Sequence, residues 1–283
     1  MFEEFCTAPP DHETVCREIR WLTGRYRALK AFPIGKSVMG REIGALCIGN
    51  PRSAVTFVGG IHGLEWLTVS LMLRFCHEFI HALETGGQVS DIHVGRAMRN
   101  RSLVIIPCLN PDGVEIALHE ENPSWQANAN GVDINHNFDA GWKLLREMEL
   151  GHGIDGPAPT RYGGPHPNSE PETRAAVTFC MAWQPRSLYT FHSQGEEIYY
   201  HYGKHTPNRS RFIAHVLASS SGYTVSRPEG LASHGGFKDW FIEKFHRPGF
   251  TIEIGRGKNP LPLSQLEPVY GQIREMMMIA ALL

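Results

Sequence analysis

His62 and Glu65 stand three residues apart at the end of an apolar run, Ala54-Val55-Thr56-Phe57-Val58-Gly59-Gly60-Ile61. A neutral imidazole and a carboxylate supply two of the three protein ligands in a catalytic zinc site of the two-histidine, one-carboxylate type. A second histidine from elsewhere would complete that shell and leave a fourth position open to water. The apolar run reads as a buried strand. Gly59-Gly60 lets the chain turn sharply where it leaves that strand. Two more polar groups stand in strand-like segments: His192 in Phe191-His192-Ser193, and Glu253 in Phe250-Thr251-Ile252-Glu253-Ile254. A carboxylate in so apolar a run is costly to bury without a partner. Beside a metal it could accept a proton from water and pass it on. His62, Glu65 and His192 are therefore the candidate metal ligands, and Glu253 is the candidate general base.

A second pattern competes. His77-Glu78-Phe79-Ile80-His81 matches the H-E-x-x-H signature of zinc proteases. Leu67, Leu71, Phe75, Phe79 and Leu83 recur every four positions, which predicts a helix over 65–84 ended by Gly86-Gly87. Arg74, His77, Glu78, His81 and Glu84 fall on its other face. That stripe is predicted to be a solvated surface rather than a ligand set.

Other elements must deliver the four candidates to one place. A helix is predicted over 11–29, strands over 43–48, 54–58, 103–107, 187–191 and 249–254, and a helix over 171–183. Asn110-Pro111-Asp112-Gly113 reads as a turn, and 119–170 as loop-rich. Strands alternating with helices, with polar groups at the strand ends, predict a mostly parallel sheet with its site at the carboxyl edge. No repeat or linker divides the chain. It reads as a short N-terminal helical extension, 1–30, and a single catalytic domain, 31–283.

The chain has 283 residues, 42% hydrophobic and 20% charged, with a net charge of −2. The basic residues are scattered, so neither nucleic acid nor a membrane surface is an expected partner. No apolar run is long enough to span a bilayer. The segment Met1-Phe2-Glu3-Glu4-Phe5 lacks the basic patch and apolar stretch of a secretory signal, which predicts a cytoplasmic protein. Six cysteines without a Cys-x-x-Cys pair are expected to be buried thiols in a reducing compartment, not zinc ligands.

Five segments together resemble the M14 family of zinc carboxypeptidases. They are Gly59 to Glu65, Asn110 to Gly113, Gly131-Val132-Asp133-Ile134-Asn135-His136-Asn137-Phe138, His192-Ser193 and Thr251-Ile252-Glu253. The resemblance implies a three-layer α/β/α sandwich around a mixed, mostly parallel eight-stranded sheet. It also implies one zinc per chain on His62, Glu65 and His192, with Glu253 as general base and acid. The departures lie where substrate would bind. The family has Asn-Arg where this chain has Asn135-His136, and that arginine grips a terminal carboxylate. A second arginine, which polarises the scissile carbonyl, is expected before Gly131, but Trp125 to Asn130 contains none. The active-site tyrosine position holds Leu231. Asn135, His136, Asn128 and His234 are the substrate-binding candidates, with Lys238 at the position that sets side-chain specificity.

Trp125-x-Ala127-Asn128, Gly235 to Ile242 and Arg247 to Glu253 look like a bacterial branch of the family. That branch contains γ-D-glutamyl-meso-diaminopimelate peptidases. The implied partner is then a peptide substrate, a muropeptide, whose diaminopimelate carboxylate Lys238 would match in charge. Other readings stay open. One is a carboxypeptidase releasing a C-terminal residue. Another is an aspartoacylase-like amidohydrolase on N-acyl amino acids. A third is a zinc-dependent peptide-binding protein without activity.

Overall fold

The computed structural model describes residues 7–119, 121 and 124–283. The chain runs through α1 (His12–Arg25), β1 (Leu29–Lys36), β2 (Glu42–Ile48), β3 (Val55–Val58), α2 (Leu67–Thr85), β4 (Gln88–Val89) and β5 (Ile92–His93). It continues through α3 (Val94–Ala97), β6 (Leu103–Ile106), α4 (Pro111–Leu118), α5 (Trp142–Gly151), α6 (Pro171–Trp183) and β7 (Ser187–Ser193). Then come β8 (Glu197–Tyr199), α7 (Asn208–Ser221), β9 (Thr224–Ser226), α8 (Phe237–Phe245), β10 (Gly249–Ile254) and α9 (Leu266–Leu282).

Eight strands form one mixed sheet in the order β1-β2-β6-β3-β7-β10-β8-β9. Its centre, β6-β3-β7-β10, is parallel, and β1, β2 and β8 run antiparallel to their inner neighbours. A parallel centre must be covered on both faces, and side chains alternate faces along each strand. Val55 and Phe57 of β3, Leu103 and Ile105 of β6, and Tyr189 and Phe191 of β7 enter one core with α2, α7 and α9. Val58, Val104, Ile106 and Leu188 enter the other, with α6 and α8. The expected three-layer α/β/α sandwich with a mixed, mostly parallel eight-stranded sheet is the observed one. Val15 and Leu22 of α1, and Tyr26 just after it, belong to the first core.

Three local readings need correction. Asn110-Pro111-Asp112-Gly113 opens α4 and is not a free turn. The Asn110 side chain accepts the Gly113 N–H at 2.9 Å, and Pro111 occupies the first turn, an N-cap followed by a proline that has no N–H to lose. The loop-rich region holds a helix, α5, which starts at Gly141 in the left-handed region without a capping side chain and so lacks a start signal. The polar stripe of α2 is solvated only at Glu84, and Arg74, Glu78 and His81 are half-buried. His77 is buried, its ring edge-on to Trp21 of α1 at 5.1 Å, and the Tyr26 hydroxyl lies 3.3 Å from His81 Nδ1. Arg74 donates to Glu267 at 2.9 Å, while Glu78 receives Tyr270 and Arg274, all three from α9. Polar partners on two helices cover this face, and periodicity alone does not show them.

Candidate metal centre and active site

His62, Glu65 and His192 converge, and among the described residues they form the group able to hold a metal ion. Two sharp features of the backbone bring the first pair there. Gly60 has φ 57°, and a Cβ there would lie 2.7 Å from Val69 Cγ2, so only glycine can turn the chain at this point. A Cβ on Gly63 would come within 2.2 Å of the Gly113 carbonyl oxygen. The loop therefore packs backbone against backbone on the start of α4. Asn110 completes the join, its side-chain amide donating to the Ile61 and Ala127 carbonyls at 3.1 Å each. His192 ends β7, where it pairs in register with Glu253 of β10.

The donor atoms face each other. His62 Nδ1 is 2.8 Å from Glu65 Oε1, and His192 Nδ1 is 3.0 Å from Glu65 Oε2. The two Nδ1 atoms are 3.2 Å apart. Two nitrogens on a tetrahedral zinc, each at about 2.05 Å, would be separated by about 3.3 Å. The spacing therefore fits the ion. His62 Nε2 points the other way, 3.2 Å from Asp133 Oδ1. An outward imidazole nitrogen held by a carboxylate is the usual support of a zinc-ligating histidine.

Charge fits as well. Burial opposes ionisation of both His62 and Glu65. Yet the His62 pKa is raised well above its ordinary value by Glu65 and Asp133, and Glu65 is lowered to about 2 by the two histidines. Two carboxylates thus flank one imidazole, a negative surplus suited to a dication. Glu253 is different. Burial, then Glu65 and Glu197, raise its pKa well above the carboxylate range, with His62 opposing.

The substrate-facing candidates separate. Asn135, His136 and Lys238 line the same cleft as the triad and Glu253. Asn135 Oδ1 accepts the Phe237 N–H at 3.0 Å, which ties this wall to the start of α8. His136 Nδ1 lies 2.9 Å from Glu149 Oε1 and 3.1 Å from the Arg161 carbonyl. Both are acceptors, so Nδ1 carries the hydrogen. Lys238 is buried, its ammonium bound to Asp239 and to the His201 carbonyl at 3.1 Å. The cation expected to meet a substrate carboxylate is therefore already paired within the protein.

Asn128 and His234 do not line the cleft. Asn128 is fully buried and donates to Glu170 at 2.8 Å and Glu172 at 3.0 Å, while its oxygen accepts the Asn130 and Val132 N–H groups. Its donors and acceptor are all consumed in holding this loop. His234 pairs with Ser233 and opens onto a neighbouring pocket with Tyr202, Lys204 and Arg227. Sequence reasoning missed Gln126, Arg161 and Tyr199, which also line the cleft. Gln126 follows the quoted Trp125 and carried the nearest signal. Tyr199 sits on the short strand β8, between β9 and β10, and pairs with Thr251 of β10.

The sheet and the site define a metallohydrolase with its chemistry at the carboxyl edge of parallel strands. The chain belongs to the zinc carboxypeptidase family, whose model matches residues 18–275, and is a metallopeptidase of that family. It is 30% identical to gamma-D-glutamyl-L-diamino acid endopeptidase 1 of Lysinibacillus sphaericus, over 92% of this chain and 69% of that one. Carboxypeptidase B of Bos taurus is 28% identical over 83% of this chain and 61% of that one. The fold matches bovine thrombin-activatable fibrinolysis inhibitor, solved in complex with tick carboxypeptidase inhibitor. The TM-score is 0.77 at 20% identity, covering 96% of this chain and 95% of that one. It also matches murein-tripeptide amidase MpaA from Escherichia coli O157. There the TM-score is 0.58 at 21% identity, covering 89% and 91% of the two chains. Among the described residues no helix is long and apolar enough to cross a membrane. Of the six cysteines, Cys6 lies outside the described residues, and the other five are free thiols, four of them buried.

Proposed function

We propose that His62, Glu65 and His192 hold one zinc ion, that Glu253 is the proton carrier, and that the substrate is a γ-D-glutamyl–diamino acid peptide of the cell-wall type. The observation that carries the catalytic part is the convergence of three ligands from two strand ends, with Glu253 in register beside His192. Bound zinc supplies Lewis acidity towards water and the scissile carbonyl. Asp133 keeps the His62 ring oriented with Nδ1 towards Glu65. Glu253, whose pKa burial and the neighbouring Glu65 raise, accepts a proton from the attacking water and delivers it to the leaving amine.

Three features support the substrate. The relative from Lysinibacillus sphaericus carries that activity in its name. His136, buttressed by Glu149, replaces the arginine that a carboxypeptidase uses on a C-terminal carboxylate. The Lys238–Asp239 pair presents both charges, and the far end of a diamino dicarboxylic acid carries both an ammonium and a carboxylate. A panel tests the reading: γ-D-glutamyl–diaminopimelate peptides, ordinary C-terminal peptides and N-acyl amino acids, each with zinc-loaded protein. The first class is expected to lead in kcat/KM by about 10-fold or more, the scale at which matched polar groups discriminate. Faster release of C-terminal residues or of acyl groups would reject this substrate class and leave the metal chemistry standing.

A further inference from the structure

Arg161 is a cation built into the cleft wall that no step above uses. It comes from the connection between α5 and α6, far in sequence from the metal loop, yet it lines the cleft with His62, Glu65, His136 and Glu253. Its backbone has φ 67°, a left-handed conformation that costs a residue with a side chain and persists where neighbours enforce it. The neighbours are residues of the site. The Arg161 N–H donates to Asp133 Oδ2 at 3.2 Å, and its carbonyl accepts from His136 Nδ1 at 3.1 Å. On either side, the Tyr162 carbonyl accepts the Asp133 N–H at 2.8 Å, and the Pro159 carbonyl accepts the Gln126 N–H at 2.9 Å. The strained residue is thus clamped between the supporting carboxylate of His62 and the His136 ring.

The side chain contrasts with this backbone. The guanidinium is exposed and has no hydrogen bond or ion pair among the described residues. The neighbouring groups of the wall are matched: the Lys238 ammonium by Asp239, and the His136 Nδ1–H by Glu149. Arg161 therefore leaves one positive charge uncompensated at the mouth of an otherwise balanced wall. A planar fork of donors without a protein acceptor is suited to a carboxylate. Because no protein group pre-orients it, it engages when substrate arrives and contributes to binding more than to the chemical step.

We propose that Arg161 binds a substrate carboxylate next to the scissile amide and so determines specificity for acidic peptides. It rests on the reading of this cleft as a peptidase site. The carboxylate can come from either side of the bond, from the acyl residue or from the leaving residue. Substrate pairs separate the two: each peptide is made with the acyl-side carboxylate free or as carboxamide, and with the leaving-side carboxylate free or as carboxamide. γ-D-Glutamyl and ordinary C-terminal peptides are both included. Zinc-loaded wild type, Arg161→Gln and Arg161→Lys are compared after equal zinc content and equal thermal unfolding are established.

Arg161→Gln is expected to raise KM about 10- to 100-fold for the acid member of one pair, the scale of a charge-assisted bidentate contact. It should leave kcat within about 3-fold and leave the carboxamide member unchanged. Arg161→Lys should fall between. The pair whose acid preference disappears identifies the side. An unchanged acid-over-amide preference in Arg161→Gln overturns the assignment. So does a fall in kcat at constant KM, which would mark a carbonyl-polarising group. Hydrolysis of ordinary peptides alone would reject the γ-glutamyl substrate, while Arg161 would still be read on the pairs that turn over. If no pair is hydrolysed, the peptidase reading fails. Calorimetric affinities of the same pairs then decide Arg161, with equal values in both proteins overturning it.

Discussion

The metal end of the cleft and its substrate-facing wall are built differently. His192 and Glu253 sit on adjacent central strands, in register, with buried aromatic and aliphatic residues on the opposite face. The wall comes from the segments around 125–136, 159–163 and 199–202 and from the start of α8, joined by side-chain bonds such as Asn135 to Phe237 and His136 to Glu149. Two of the four candidate groups of the metal end thus sit on the central sheet itself. Recognition rests on connections that can change residue by residue, and two departures from the family pattern fall there: His136 and the segment Trp125 to Asn130.

The two ends should therefore fail differently. The largest effect is expected at the metal end. Glu253→Gln should lower kcat about 10²- to 10⁴-fold on every substrate while zinc content stays stoichiometric; near-wild-type turnover would remove Glu253 from the mechanism. The same substitution removes a carboxylate whose folded pKa is raised. Such a group destabilises the fold when ionised, so above that pKa Glu253→Gln should raise the melting temperature of the zinc-free protein. Asp133→Asn should weaken zinc affinity about 10- to 100-fold, measured by competition with a chromophoric chelator, because His62 loses its orienting carboxylate.

At the wall, Glu149→Gln should loosen His136 and raise KM by about 3- to 10-fold with little change in kcat. Equal losses on all substrates in kcat would erase the distinction between the two ends. The smallest effect is in pH. The base must be ionised, so kcat/KM should fall as pH drops through the raised Glu253 pKa, at a higher pH than for an ordinary carboxylate. Glu197, one cause of that shift, should move the acid limb downward when changed to Gln; an unmoved limb would assign it to another group.

The same division explains what could be read from the chain. Apolar runs in short strands and the His-x-x-Glu pair after Gly59-Gly60 are local signals that located the central strands and the first two candidate ligands, and the family resemblance supplied the eight-stranded sheet and the joining of His62, Glu65 and His192. The wall is made of contacts between distant segments. Lys238 reads as a partner for a substrate carboxylate until Asp239 is seen to bind it, and Asn128 as a substrate-binding group until Glu170 and Glu172 are seen to occupy it. Arg161 gave no sign at all, because its importance lies in a backbone angle and in bonds to Asp133 and His136. The polar stripe of α2 failed for the same reason, since its partners are on α1 and α9.

Strand β10 carries a further lesson. Phe250, Ile252 and Ile254 enter the core, and the intervening Thr251 and Glu253 face the cleft. Sliding this strand by a single residue against β7 would swap the two sets, putting an isoleucine over the reaction and an acid among aromatic rings. Three greasy side chains with no chemistry of their own thereby act as the indexing pins that hold Glu253 in the cleft. Shaving any of them down would blunt turnover before a single reactive atom had been changed.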